Sequence, residues 1–405
     1  MKAKIPETWY PTQLPTFSGE PLTVVIDATD PCAYFNLWGL SLLERNVRLV
    51  ERLGAETIHI LSTFEKRSES ASRKFVGTIN PIIHVFEWDP NFEVNDILDE
   101  LTGPVLLISG CGVYDARFIS YLWQQPYPAK GVNGNRPLDA PALLVHLEST
   151  KIRDAIDFVH RFTTTKDFSA ESIDISVLDG HIVSLRKSIT PDVILVKDKK
   201  SLKEAQQYLR NLVGKGINDL MGEFIHPPFE FFITRLLAFT SVTPNQVSYI
   251  TLFLSLFALP LFATGKLWEG VAVNLLRGVL DGVDGKLARL TLRESEGGNI
   301  LDHGTDTLYL PLLFGTFGWY LANGDAYGLP AISTYLLHFF YWCNRVFSSW
   351  YKVFLGQSDS DYKPIDRVVR RIHPKRNTFI LILLVMLFFD TPIYALYVIK
   401  GISIF

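Results

Sequence analysis

Hydrophobic positions change their pattern part-way along the chain. Up to about residue 200, short apolar runs such as PLTVVIDA, TIHILST, PIIHVFEW and PVLLISG alternate with stretches such as SLLERNVRLVERLGAE and NDILDEL, in which apolar residues recur at helical spacing. Strand-length runs separated by helix-length ones predict an α/β domain with a largely parallel sheet over residues of about 20–200. From Val242 onward the chain turns apolar and aromatic. Six segments read as membrane helices, at about 245–264, 268–290, 299–322, 330–355, 377–389 and 392–405. The last two fall short of the roughly 20 residues that a bilayer requires. Either they extend into their polar flanks, or they form one bent element around Asp390-Thr391-Pro392. The expected fold class is therefore a soluble α/β domain followed by an all-α, six-helix transmembrane domain.

Between these halves, residues 202–240 place Lys203, Lys215 and Arg235 among Phe224, Phe229, Phe231, Phe232, Ile233, Leu236 and Leu237. Such a segment suits an amphipathic helix lying in the membrane interface. The domain limits expected are 1–200, a juxtamembrane linker at 201–242, and 243–405. The first residues, MKAKIPETWYPTQLPTF, lack the apolar core of a secretory signal. Among 405 residues, with a net charge of −3, the three cysteines Cys32, Cys111 and Cys343 lie far apart and show no metal-ligand spacing. Neither a disulfide framework nor a zinc site is suggested by that spacing, and a reducing, cytoplasmic setting is expected for the soluble part. No nucleic-acid partner is expected. Lys352, Lys363, Arg367, Arg370, Arg371, Lys375 and Arg376 crowd the connection between the fourth and fifth apolar segments, and Arg289 and Arg293 lie between the second and third. The turns ANGDAYGLP and FDTP carry no base, so the positive-inside rule places the acidic stretch and both termini on the cytoplasmic side of the cell membrane.

That acidic stretch is DGVDGKLARLTLRESEGGNILDHGTD, over 281–306. Asp281 and Asp284 are three residues apart, and Asp302 and Asp306 are four apart, so each pair projects from one face of its own helix. Gly297 and Gly298, beside Ser295 and Asn299, are expected to break the two helices. Folding the hairpin back gathers four carboxylates, which repel one another unless hard divalent cations neutralise them. An all-oxygen set suits magnesium, manganese or calcium rather than zinc. Acids at helical spacing are more often a solvated face, but long apolar flanks make uncompensated charge expensive here. Small residues recur at Gly278, Gly282, Gly285 and Ala288, either to admit a phosphorylated ligand close to backbone or to pack helices together.

The stretch resembles the signature of the CDP-alcohol phosphotransferases, D-x2-D-G-x2-A-R-x8-G-x3-D-x3-D. Every fixed position is present, as Asp281, Asp284, Gly285, Ala288, Arg289, Gly298, Asp302 and Asp306. The run SVTPNQVSYITL resembles the family's entry to its first membrane helix and contains Asn245. The resemblance implies a membrane enzyme that moves a substituted phosphate group from a CDP-alcohol such as CDP-diacylglycerol to an alcohol and releases CMP, using two Mg2+ or Mn2+ ions. It implies that the four aspartates hold metal and that Asp306 acts as the base. It further implies that Asp281, Gly285, Ala288, Arg289, Gly298 and Asn245 contact the CDP moiety, and that the enzyme is a homodimer. Arg345, Arg371, Lys375 and Arg376 are the candidates to bind an anionic acceptor such as inositol phosphate.

The run LWGLSLLERNVRLVERLGAETIHILS resembles the first helix and second strand of sugar-phosphate nucleotidyltransferases. Where that family has a glycine-rich phosphate loop, the chain reads DATDPCAYFN. Where the family has a metal-binding aspartate, it reads ISGCGVYD, with Gly110 or Cys111 at the expected position and Asp115 several residues late. The expectation is a nucleotidyltransferase-like domain that has lost its chemistry. The alternatives are a bifunctional enzyme whose active cytidylyltransferase domain makes CDP-inositol and, in a different class, an ion- or proton-coupled transporter.

Overall fold

A computed structural model describes residues 22–62, 81–87, 104–124, 129–132, 142–146, 171–182, 185–216, 218–355, 371, 373 and 375–404. The helix expected from NDILDEL and the bases Lys363, Arg367 and Arg370 lie outside these residues. The chain divides into two compact units, one of Met1–Gly214 with Leu290–Leu292 and one of Lys215–Arg289 with Arg293–Phe405.

The first unit is built on a seven-stranded sheet. Its strands are β1 (Leu22–Asp27), β2 (Ala55–Ser62), β3 (Ile82–Glu87), β4 (Pro104–Ser109), β5 (Ala129–Val132), β6 (Ala142–His146) and β7 (Glu171–Asp174). The order is β7-β5-β6-β4-β1-β2-β3. All neighbours run parallel except at β6, which is antiparallel to both β4 and β5. Both central strands are buried, which is why PLTVVIDA and PVLLISG read as continuous rather than alternating apolar runs. Helix α1 (Leu42–Arg52) is capped by the Ser41 hydroxyl accepting from the Glu44 amide. Asn46 on α1 donates to the carbonyls of Ser109, Gly110 and Gly112, which fixes the turn after β4. Helix α2 (Ala116–Trp123) starts on Asp115, whose carboxylate caps Arg117, pairs with its guanidinium at 2.7 Å and accepts from the Tyr208 hydroxyl at 2.7 Å. Tyr208 belongs to α3 (Lys199–Val213), which counts with the first unit.

The second unit is helical. Its helices are α4 (His226–Ala238), α5 (Pro244–Ala263), α6 (Leu267–Thr291), α7 (Glu296–Ala322), α8 (Leu329–Leu355), α9 (Arg376–Phe388) and α10 (Ile393–Ile404). Thus all six apolar segments are helices, and the last two are separate, with Asp390 in the left-handed region at φ 54° between them. Only α5 is both long and apolar enough to cross a membrane by length and composition among the described residues; α9 and α10 are shorter apolar helices. Thr243 and Gln246 form a reciprocal capping box at the start of α5, with Pro244 in the first turn. Aromatic packing of Phe262, Phe314, Phe317 and Phe379 ties α5, α7 and α9 together. Large apolar residues remain exposed along α8, including Phe339, Phe347, Trp350, Val353 and Phe354.

One expectation about backbone is revised. The break between α6 and α7 is made by Leu292, at φ 54°, with the Arg293 amide bonded to the Ala288 carbonyl and Ser295 capping α7. Gly297 and Gly298 lie inside the first turn of α7 instead. Pro311 in α7 cannot donate to the Thr307 carbonyl. That carbonyl accepts the Tyr341 hydroxyl from α8 at 2.7 Å, so the break in the ladder is satisfied across helices.

The sheet also carries a pH dependence. His59 on β2 is 2% exposed and stacks on His84 and Phe86 of β3, at 5.2 and 5.7 Å between centroids. Burial, then the neighbouring His84, lowers its pKa to about 4. Because the folded value lies below the unfolded one, the neutral ring's contribution is complete above about pH 6.5 and is lost as pH falls towards 4. The loss is on the order of 3 kcal/mol. Thermal unfolding followed by circular dichroism should therefore drop over that window, and the drop should shrink in His59→Phe. Equal slopes for the two proteins would contradict this origin.

Candidate active site

Helix α6 carries Asp281 and Asp284, and α7 carries Asp302 and Asp306. The structure brings carboxylate oxygens of Asp281, Asp302 and Asp306 within 4.8 Å of one another. Asp284 stands apart from that trio: its carboxylate accepts from the Ser248 hydroxyl of α5 at 2.6 Å and from the Gly285 amide. Oxygen-only donors converging from two helices fit a hard divalent cation better than a thiophilic one.

Two guanidiniums complete the cluster. Arg376, at the start of α9, pairs with Asp281 at 3.2 Å and Asp306 at 3.0 Å. Arg277, one helical turn before Asp281, is 1% exposed and donates to Asp306 at 2.8 Å. It also bonds the Ser255 hydroxyl and lies 4.5 Å over the Tyr309 ring. Tyr309 in turn donates to Asn274 at 2.8 Å. Arg277 was not among the residues singled out from sequence. Its signal is a lone base inside an apolar run, four residues ahead of a motif aspartate, where a buried charge needs a partner.

The other predicted residues fall into two groups. Arg345 bonds the Thr307 hydroxyl, next to Asp306, and flanks the Tyr341 ring at 6.0 Å. Asn245 sits against Gly298, where an added Cβ would lie 2.7 Å from its side-chain oxygen. An added Cβ at Gly285 would lie 3.2 Å from the Arg289 guanidinium, and Ala288 is buried. Arg371 forms a two-bond pair with Glu223 at 2.8 and 2.9 Å. Lys375 precedes α9 as its N-cap, without a side-chain cap bond.

Gly278 and Gly282 serve packing rather than ligand access. A Cβ at Gly278 would lie 2.9 Å from His226, and one at Gly282 would overlap the Glu230 carboxylate. His226 and Glu230 are one turn apart on α4 and both buried, and Glu230 forms a buried ion pair with Lys286 of α6. Burial also lowers the pKa of His226, partly offset by Glu230 and Asp219.

Residues 241–403 match the family model described as CDP-alcohol phosphatidyltransferase. The chain is also 33% identical over 107 residues to the Inner membrane protein YnjF of Escherichia coli (strain K12), covering 25% of this chain and 50% of the other. It thus spans about half the length of the curated relative it matches. Among solved structures, the phosphatidylinositol phosphate synthase PgsA1 of Mycobacterium tuberculosis with CDP-DAG bound matches at 20% identity and TM-score 0.35, over 44% of this chain and 88% of that one. The inositol-1-phosphate CTP transferase from T. maritima matches at 9% identity and TM-score 0.31, over 47% and 98%.

The packing reading of the glycines is testable. Gly282→Ala must displace a carboxylate that is both buried and paired, and should destabilise by about 1–3 kcal/mol. Gly297→Ala, with no heavy atom within 4 Å of the new Cβ, should be near neutral. Denaturant unfolding of both variants measures this, and a neutral Gly282→Ala would refute it.

Proposed function

We propose that the helical unit transfers a substituted phosphate group from a CDP-alcohol, such as CDP-diacylglycerol, to an alcohol acceptor. The observation that carries this reading is the convergence of Asp281, Asp302 and Asp306 from the two halves of the family motif. Asp281, Asp284, Asp302 and Asp306 would hold two Mg2+ or Mn2+ ions. When bound, such ions neutralise the diphosphate oxygens, so that an anionic ester can be attacked. Asp306 takes the proton of the acceptor hydroxyl. The acceptor oxygen then bonds to the phosphorus that carries the alcohol, and the bridging oxygen leaves with CMP. Arg277 keeps the Asp306 carboxylate oriented by a bond from a guanidinium that is itself fixed on Tyr309 and Ser255. Asn245, Gly285, Ala288, Arg289 and Gly298 line the nucleotide side, where the missing side chains leave room for cytidine and diphosphate.

The acceptor is an anionic polyol such as inositol phosphate, met by Arg376 and Arg345 with Arg371 and Lys375 further out. What supports this is that Arg376 contacts two motif carboxylates and Arg345 bonds the residue next to the base. Guanidiniums in such a position hold a phosphate bidentately. The helices lie in the cell membrane with the acids facing the cytoplasm, and the enzyme acts as a homodimer; charge bias between helices and the exposed aromatic face of α8 support the membrane part. The first unit does not itself transfer nucleotides. In support, Asp115, the carboxylate following the central strands, is wholly buried and committed to Arg117 and Tyr208.

Asp306→Asn should reduce turnover by at least about 100-fold while leaving CDP-alcohol binding nearly unchanged, because a base contributes to attack rather than to nucleotide affinity. Asp281→Asn and Asp302→Asn should instead weaken metal and nucleotide binding. Near-full CMP release by Asp306→Asn would sink the role given to it. In the same assay, Arg345→Ala should raise KM for inositol phosphate far more than KM for the CDP-alcohol, with no such change for a neutral acceptor. A uniform effect on both substrates would show that Arg345 is structural only.

A further inference from the structure

In the sheet of the first unit, β1 and β4 are adjacent and parallel, and Asp27 pairs with Ser109 at their C-terminal ends. The chain leaves β1 through Asp30, Pro31 and Cys32, and leaves β4 through Gly110 and Cys111. Gly110 lets the two turns touch. Its amide donates to the Asp27 carbonyl at 2.6 Å, and a Cβ there would lie 2.7 Å from that oxygen and 3.1 Å from the Ala33 methyl. Two cysteines 79 positions apart in sequence (111 − 32) are thereby brought together. The Cys32 and Cys111 sulfurs and an Asp30 carboxylate oxygen all lie within 4.8 Å of one another.

We propose that Asp30, Cys32 and Cys111 form a three-ligand site for a thiophilic divalent cation, zinc by the chemistry of its donors. Two sulfurs and one carboxylate match the donor types of tetrahedral zinc, whose ligand atoms stand about 3.8 Å apart, so closure requires movements of no more than about 1 Å. Cys111 is buried, Cys32 half-buried and Asp30 exposed, so the site opens on one side and leaves a fourth position for water. The ligands are also oriented from behind. One Asp30 oxygen accepts from the Cys32 amide at 2.8 Å and the Cys111 amide donates to the Ser109 hydroxyl at 3.2 Å, while the Cys32 thiol, which donates to the Lys197 carbonyl at 3.5 Å, gives up that bond when the metal takes the place of its proton. On binding, two S–H bonds are replaced by two metal–sulfur bonds and two protons pass to solvent. This site differs in kind from the cluster on α6 and α7, whose oxygen donors select hard cations.

Cobalt(II) titrated into the reduced, chelator-treated full-length chain should give a near-ultraviolet thiolate-to-metal charge-transfer band saturating at one equivalent. Cobalt on the aspartate cluster contributes no such band. The band should vanish in Cys32→Ser and in Cys111→Ser and persist in Cys343→Ser. Asp30→Asn should weaken affinity by at least the 10–100-fold typical of lesser changes around a metal. Because serine at the buried Cys111 can impair folding, the unmutated chain provides a second readout. Zinc should slow maleimide labelling of Cys32 by at least about tenfold, reversibly with chelator, and leave Cys343 unaffected. Absence of the band in the wild type, a band that survives the Cys32→Ser/Cys111→Ser double variant, or zinc-insensitive labelling of Cys32 would each overturn the site.

Discussion

Three carboxylates with oxygens inside 4.8 Å of one another impose the constraint around which the helical unit is arranged. At an effective dielectric of about 20, each such pair of charges repels by at least about 3.5 kcal/mol. The unit answers with Arg277 from inside α6 and Arg376 from the start of α9, both bonded to Asp306. Arg277 in turn requires Tyr309 and Ser255 around it, and Tyr309 requires Asn274. One electrostatic requirement thus reaches α5, α6, α7 and α9.

The same logic of compensated burial governs the second contact on α6. Lys286 lies two residues beyond Asp284, and its ammonium is taken up by Glu230 of α4 rather than by the motif acids. Removing one partner of a buried pair costs more than the pair gains, so α4 is held to α6 at a defined depth. Gly278 and Gly282 give His226 and Glu230 their space. The glycines proposed to face a ligand are Gly285 and Gly298, next to Arg289 and Asn245.

Much of this was legible in the sequence because it depends on spacing along one helix. The pairs Asp281/Asp284 and Asp302/Asp306 and the apolar stretches of α5 to α10 are local signals. Contacts across helices were not legible. Arg277 to Asp306 spans 29 residues and Arg376 to Asp281 spans 95, and nothing in periodicity names such partners. Gly297 was misread as a helix break because glycine usually interrupts helices, whereas Ser295 capping and a left-handed Leu292 do so here. Cys32 and Cys111 carried no spacing signal because adjacency of β1 and β4, not sequence, joins them.

The proposed function rests on the clustered acids of α6 and α7 forming a metal-dependent phosphotransfer site. It is tested most directly by following CMP release from CDP-diacylglycerol in membranes bearing the chain, with a panel of alcohols, before and after removal of divalent cations. The expected result is acceptor-dependent CMP release that stops on chelation and returns with Mg2+ or Mn2+. CMP release that is indifferent to chelation, or none with any alcohol in the panel when metal is present, would contradict it.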